Sequence, residues 1–406
     1  MYKHLIFNSN RKRLLLKNYR HIIYAVLTIA CLSSCKREKP KGKYSDITDG
    51  KNNTTQVKLS EVAKSSEYVK LTAPDSILLT DDLNVDFYDK FLLVWDRATQ
   101  RAFLFDRLGK YLKTISRQGK GPGEYVYLSG VKVDQQKNLA FILDAAQQKV
   151  IKIDLTTESF QEIKIKIKPI DMYLLGDGRI LLFTPSSGRK LILNSHIYII
   201  DYNGKVLGEQ NLPDVVDEQD YISRAQVYSF HNKQHIWQTT TDDIFELDAQ
   251  DKLKTVDLLW DDKMMPYDGR NNKELKKKYI KQYLLLRSVF ESDNYYMINA
   301  IYKQTRRNLL YNKKTKKCMN VTFKDRLLDV GLINDIDGGM PFWPTGQGSE
   351  TVFYSIVNPI KFQEVVSNSY TQAFPFKDAV SHKKMELLLK GLKEDDNPII
   401  QIVYMK

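Results

Sequence analysis

The chain has 406 residues, enough for two or three domains or for one long all-β domain, and its 42% hydrophobic and 11% aromatic content suits rings packed on half-buried sheets. Its net charge of +13 does not argue for a nucleic-acid partner, because six cations and no acid lie in the first twenty residues, another +4 lies in residues 36–43, and only +3 is left for the body. Three cysteines supply no disulfide framework.

In chain order, Lys3, Arg11, Lys12, Arg13, Lys17 and Arg20 precede an apolar run from Ile22 to Leu32, too short to span a bilayer comfortably, so residues 1–34 are read as a signal peptide. Leu32-Ser33-Ser34-Cys35 is similar to the lipobox of bacterial lipoproteins, which implies acylation of Cys35 as the new N-terminus. Residues 35–60 are then the lipid anchor and a flexible basic linker suited to anionic head groups. Cys31 leaves with the signal, and Cys318, in a strand-like run, is expected to be a small buried residue.

Residues 61–406 read as one domain built on a repeat. Ala102 to Asp106 is an apolar strand ending in an Asp turn, and Val150 to Asp154 repeats it 48 residues later. Ile197 to Asp201 and Ile244 to Asp248 follow at intervals of 47, Asn308 to Asn312 is a degenerate copy, and Ile399 to Tyr404 serves as a sixth. Four short strands per period predict an all-β, six-bladed β-propeller of four-stranded antiparallel blades. Asp96 and Asp144, 48 apart, are expected to accept backbone N–H bonds from the turns they open. Between blades four and five, Leu275, Tyr279, Tyr283 and Leu286 share a helical face, so Asp261 to Arg287 is expected to be a helical insert, with blade five starting at Val289. Asp378 to Leu392 is read as a C-terminal helix before the closing strand. Blade six lacks a fourth strand, so Tyr68 to Thr72 is expected to close the ring by pairing with Ile399 to Tyr404.

Between blades one and two stands Ser116-Arg-Gln-Gly119-Lys-Gly121-Pro-Gly123-Glu-Tyr125. With Asp96 to Lys110 and Glu394-Asp-Asp-Asn-Pro398, it resembles the six-bladed β-propeller lipoproteins of Gram-negative envelopes, which are NHL-repeat-like, over about residues 60 to 406. The resemblance implies the fold and an envelope location, and no particular activity. The location expected is the outer membrane on its periplasmic side, with surface display as the alternative: an acidic export tag is missing after Cys35.

The loop itself is not a phosphate loop, because no Lys-Ser/Thr pair opens a helix after it. His231 and His235 have an H-x3-H spacing but fall in a turn, so no metal and no cofactor is expected. Residues 271–287 carry a net +5 and residues 303–317 a net +7, the one concentrated excess of charge in the body. The candidate ligand-facing residues are therefore Arg117, Lys120 and Glu124 in the loop, Lys303, Arg306 and Arg307 in the basic stretch, and Asp335, Asp337 and Trp343 in a Gly-rich, aromatic segment. They point to a non-catalytic binding or scaffolding module with an anionic glycan or envelope protein as partner and no nucleic acid. The alternative is an envelope hydrolase or lyase with carboxylates at the channel mouth.

Overall fold

A computed structural model describes residues 56–115, 117–185, 195–212, 225–238, 243–259, 263–266, 269–270, 272–321, 331–367 and 375–406. Contacts divide the chain into two units, residues 1–41 and 42–406, and all described residues belong to the second. Residues 1–34, read as a signal peptide, Cys35 and most of the residues read as a basic linker lie outside the described residues, as does much of the loop after Thr184.

Strand β1 is Ala63–Lys70, and blade one is β2 (Leu83–Phe87), β3 (Phe91–Asp96), β4 (Arg101–Asp106) and β5 (Tyr111–Thr114). Blade two is β6 (Gly130–Asp134), β7 (Leu139–Asp144), β8 (Lys149–Asp154) and β9 (Phe160–Lys164), and blade three is β10 (Asp171–Leu174), β11 (Arg179–Thr184), β12 (Ser195–Asp201) and β13 (Val206–Leu212). Blade four is β14 (Ala225–Phe230), β15 (Lys233–Gln238), β16 (Asp243–Leu247) and β17 (Leu253–Leu258). Blade five is β18 (Leu284–Glu291), β19 (Tyr295–Tyr302), β20 (Thr305–Asn312) and β21 (Lys317–Asn320). Blade six is β22 (Gly346–Gln347), β23 (Val352–Val357) and β24 (Ile399–Met405), with β1 as its outermost strand. The propeller read from the repeat is therefore present, and every neighbouring pair is antiparallel.

The unbroken apolar runs of the middle strands follow from their position between two neighbours. Successive side chains leave a strand on opposite faces, and here each face meets another blade. In β3, Leu92 and Val94 pack into the seam with blade six, while Leu93 packs into the seam with blade two. In β7, Ala140 and Ile142 fill that same seam, while Phe141 and Leu143 fill the next one. Further apolar clusters occupy the seams between blades three and four, four and five, and five and six, which closes the ring in chain order.

The Asp that ends each repeat earns its place in the turn to the outermost strand. Asp106 Oδ1 accepts from the N–H groups of Leu108 and Lys110 (both 2.9 Å), and Asp201 Oδ1 does the same from Asn203 (2.8 Å) and Lys205 (2.9 Å). Asp248 repeats this pattern with Gln250 and Lys252, and Asp154 Oδ1 accepts from Thr156 (2.8 Å) and Thr157 (2.9 Å). Asp96 and Asp144 are fully buried, and each accepts from its own turn and from a more distant N–H, of Thr80 (2.9 Å) and Val126 (2.7 Å) respectively. The turn role read from their spacing is what the structure shows.

Ring closure follows the expected scheme with a longer strand: β1 pairs antiparallel with β24 from Ala63↔Met405 to Lys70↔Ile399. Thr72 has already left that pair and bonds to the turn of blade one, its N–H donating to Gly109 O (2.7 Å). Before β1, the short helix α1 (Leu59–Val62) buries Leu59 and Val62 against blades five and six, and Val57 is buried with them.

The insert differs from its sequence reading in extent. Helix α2 (Lys273–Tyr279) ends a turn early, and Leu284, Leu285 and Leu286 belong to β18, paired with Tyr302, Ile301 and Ala300. Three consecutive leucines satisfy a strand buried on both faces better than a helix with one buried stripe, so the sheet takes them. Two helices lie on blade six: α3 (Pro359–Val366), capped by Asn358, and α4 (Ala379–Gly391), capped by Asp378.

Candidate functional site

The loop between blades one and two is built around its glutamate. Gly121 N–H donates to Glu124 Oε2 (2.7 Å), and a Cβ on Gly119 would collide with the same carboxylate, so these two glycines leave the space that Glu124 occupies. Tyr125 is buried and donates to Gln100 O (2.6 Å), while Gly123 N–H donates to Glu162 Oε1 (2.9 Å) on β9. Arg117 reaches Glu158 (3.5 Å) in the third-to-fourth turn of blade two, and Lys120 is exposed. The loop thus rivets two blades together on the outer side of the seam.

Asp335, Asp337 and Trp343 lie inside the protein. Asp335 is 2% exposed and holds helix α1 in place, accepting from Ser60 Oγ (2.7 Å) and Ser60 N–H (2.9 Å), with Lys377 Nζ at 3.1 Å. Burial alone would raise its carboxyl, but the Ser60 and Lys377 bonds outweigh it and hold the group low. Asp337 has no exposed surface; its Oδ1 accepts from Asn334 Nδ2 and Gly339 N–H (both 2.8 Å) and from Tyr68 hydroxyl (3.3 Å). Here burial dominates and pushes the carboxyl up. Trp343 donates to Asn299 Oδ1 (2.7 Å). No hydrogen bond or ion pair among the described residues joins this segment to Glu124.

The basic stretches come together in part: the Lys303–Arg307 end of the second meets the insert, while Lys313, Lys314, Lys316 and Lys317 lie at the β20–β21 turn at the other end of β20. Gln304 N–H, at the β19–β20 turn, donates to Ile280 O just after α2 (3.1 Å), which docks the Lys303–Arg307 hairpin on the insert. Asn272 caps α2 through its Oδ1, accepting from Glu274 (2.9 Å) and Leu275 (3.0 Å). Lys276 on this helix has its ammonium pushed down, first by partial burial and then by Arg287 and Arg270 nearby. Lys303 and Arg306 are exposed and Arg307 is half-buried. This surface lies on blade five and its seam with blade four, three blades around the ring from Arg117, Lys120 and Glu124, so the two groups of candidates form separate surfaces.

Two constellations were not singled out from the sequence. At the axis, Lys132 Nζ on β6 donates to both oxygens of Asp86 on β2 (2.9 and 2.7 Å), beside Asp171, which accepts from Tyr173 hydroxyl (2.6 Å). Burial raises the Asp171 carboxyl. The signal was present in the alternation of Val131-Lys132-Val133 and Val85-Asp86-Phe87, where the polar position of an innermost strand faces the axis. In the seam of blades four and five, buried Glu291 accepts from Tyr228 hydroxyl (2.7 Å) and Lys313 Nζ (2.6 Å) and meets His235 Nδ1 (2.9 Å). His231 instead bonds Asp293 (2.7 Å), so the two histidines serve different partners. Among the described residues, no three of His, Cys, Asp and Glu are placed to hold a metal ion, and no helix is long and apolar enough to cross a membrane.

The profile of a family described as a domain of unknown function, DUF4934, matches residues 44–404. The chain belongs to that family. No curated protein matches the sequence. Among solved structures, a Bacteroides fragilis protein whose name describes it as exported is 18% identical, with a TM-score of 0.65 over 87% of this chain and 98% of its own. A member of the DUF4221 family from Bacteroides vulgatus is 9% identical, covering 87% of this chain and 99% of its own with a TM-score of 0.46. Virginiamycin B lyase from Staphylococcus aureus is 10% identical, covering 65% and 76% with a TM-score of 0.38. The first shares the fold with this DUF4934 chain, and the other two are too distant to bear on it.

Proposed function

We propose that this chain is a non-catalytic binding module of the bacterial envelope that takes an anionic glycan on the basic face of blade five. The observation that carries the reading is the Gln304–Ile280 bond, which fixes the Lys303–Arg307 hairpin against the insert and so sets Lys303, Arg306 and Arg307 beside the insert's own cations. The name of the Bacteroides fragilis relative supports export, and the lipobox-like Leu32 to Cys35 supports a lipid at Cys35 holding the module to the outer membrane, on its periplasmic side.

The test is binding of the lipid-free mature protein to immobilised polygalacturonate at low and high salt. Charge reversal at Lys303, Arg306 and Arg307 to Glu is expected to weaken binding at least about tenfold at low salt and to flatten the salt dependence. Binding equal to that of the unaltered protein rejects the anionic partner. For the anchor, intact-mass measurement is expected to show loss of residues 1–34 and acylation at Cys35, both abolished by Cys35→Ser. An unchanged mass in that variant rejects it.

A further inference from the structure

The axial channel opens at the end of the ring that carries the first-to-second strand turns, away from the insert. Its mouth is a cavity of about 360 Å³ to which five of the six blades contribute, within the usual range of small-molecule sites, about 300–1,000 Å³. Four tyrosines line it, Tyr88, Tyr173, Tyr202 and Tyr228. Each has its hydroxyl held by the wall: Tyr88 accepts from Val133 N–H (3.0 Å), Tyr173 donates to Asp171 (2.6 Å), Tyr202 to Asp134 (2.8 Å) and Tyr228 to Glu291 (2.7 Å). Tyr202 and Tyr228 are buried in the seams behind the wall, whereas Tyr88 and Tyr173 are half-buried, and these two tethered rings are fixed platforms that lose little freedom when something packs on them.

The polar groups at this mouth select the chemistry. Asp86 and Lys132 line it as a close pair whose side chains keep 32% and 25% of their surface. A carboxylate accepts only and an ammonium donates only, so the pair offers in one place the two complementary halves that a hydroxyl requires. The remaining lining is rich in neutral amides and hydroxyls, Gln136 and Ser349 among them, and the one further charge is Asp134. No cationic cluster is there to hold an anion, and the wall is too polar for an apolar guest.

We propose that this mouth binds a neutral saccharide, its ring face against Tyr88 and Tyr173 and a pair of its hydroxyls bridging Asp86 and Lys132. This site is independent of the anionic partner assigned to blade five, and its ligand is recognised by stacking and hydroxyl bonding, not by net charge.

The test is calorimetric titration of the mature protein with neutral mono- and disaccharides: glucose, galactose, mannose, N-acetylglucosamine, maltose and cellobiose. At least one is expected to bind with an affinity that changes little with salt. The paired change Asp86→Asn with Lys132→Met, which keeps the net charge, is expected to lower that affinity at least tenfold, as is Gln136→Trp, which fills the mouth from an exposed position and spares the core. The Lys303, Arg306 and Arg307 reversal is expected to leave it unchanged, which separates failure here from failure of the anionic reading. Absence of binding by every sugar up to about 100 mM, or binding that survives both channel variants, overturns the proposal.

Discussion

Glu291 and Asp337 are both buried carboxylates, and their surroundings drive them in opposite directions. At Glu291, burial favours the neutral form, yet His235, Lys313 and Tyr228 together prevail and hold the carboxyl below its usual range. A depressed acid stabilises the fold above its unfolded pKa and loses that contribution as pH falls through the folded value. Glu291→Gln leaves Lys313 without its counter-charge, and about 3 kcal/mol is expected to be lost in urea denaturation at neutral pH, with much less lost in acid. An equal cost at both pH values would mean that packing, not charge, is what Gln disturbs. At Asp337 the sign reverses. Its folded pKa is raised, so its protonated form is the favoured one, fully so below the unfolded pKa, and stability is lost as pH climbs through the folded value. Asparagine keeps the Oδ1 that Asn334, Gly339 and Tyr68 address, so Asp337→Asn is expected to be as stable as the parent near pH 4 and more stable, by roughly 1 kcal/mol, at neutral pH. Denaturation curves at the two pH values decide it, and a variant less stable than the parent at neutral pH would show that the carboxylate itself is required.

Elements were legible in the sequence wherever a local chemical rule fixed them and illegible where two rules competed. The Asp106, Asp154, Asp201 and Asp248 turns could be read because a carboxylate bonding the next N–H groups is a local act. Helix α3 has a start signal in Asn358-Pro359 and a buried stripe in Phe362, Val365 and Val366, but its eight residues are too few for that period to stand out from the strand before it. The helix of the insert was legible but its end was not, because Tyr283 and Leu286 continue the helical spacing of Leu275 and Tyr279 while Leu284 to Leu286 complete the strand that pairs with β19. A further element-level expectation concerns the turn between β4 and β5. Gly109 has φ of 86°, and a Cβ there would run into Lys70 O at the end of β1. Gly109→Ala therefore combines a left-handed backbone with a backbone clash, and a loss of about 2 kcal/mol is expected by thermal or urea denaturation, against far less for Gly176→Ala, which has the same φ and open space around it. Similar losses at both positions would show that the contact with β1 contributes nothing.

At the scale of the ring, the period of the repeat carried the fold because each blade must satisfy the same pair of seams, so the pattern recurs whatever the ligand. The candidate site has no such repetition. Its parts lie on single strands and on one inserted segment, and only folding brings Asp86 to Lys132 or the Lys303 hairpin to Ile280. Asp335 and Trp343 carried suggestive chemistry in the sequence, yet folding commits both to packing the ring, while Arg117 stays exposed beside Glu158 of the next blade. The last expectation is about closure itself. Strand β24 is bonded on one side to β1 and on the other to β23, so it is both the middle of blade six and the link between the two ends of the described chain. In a ring, each blade covers apolar faces of two neighbours, and opening one seam exposes the clusters around Phe290 and Phe353 on one side and Phe105 and Ile400 on the other. Deleting residues 396–406 removes β24 and is expected to lower the melting temperature of the whole propeller in a single transition. Amide exchange is expected to accelerate even in β7 and β8 of blade two, which lose no direct partner. If exchange quickens in blades one, five and six alone while β7 and β8 keep their protection, the blades are held pairwise, and closure is a local latch instead of the condition on which the ring stands.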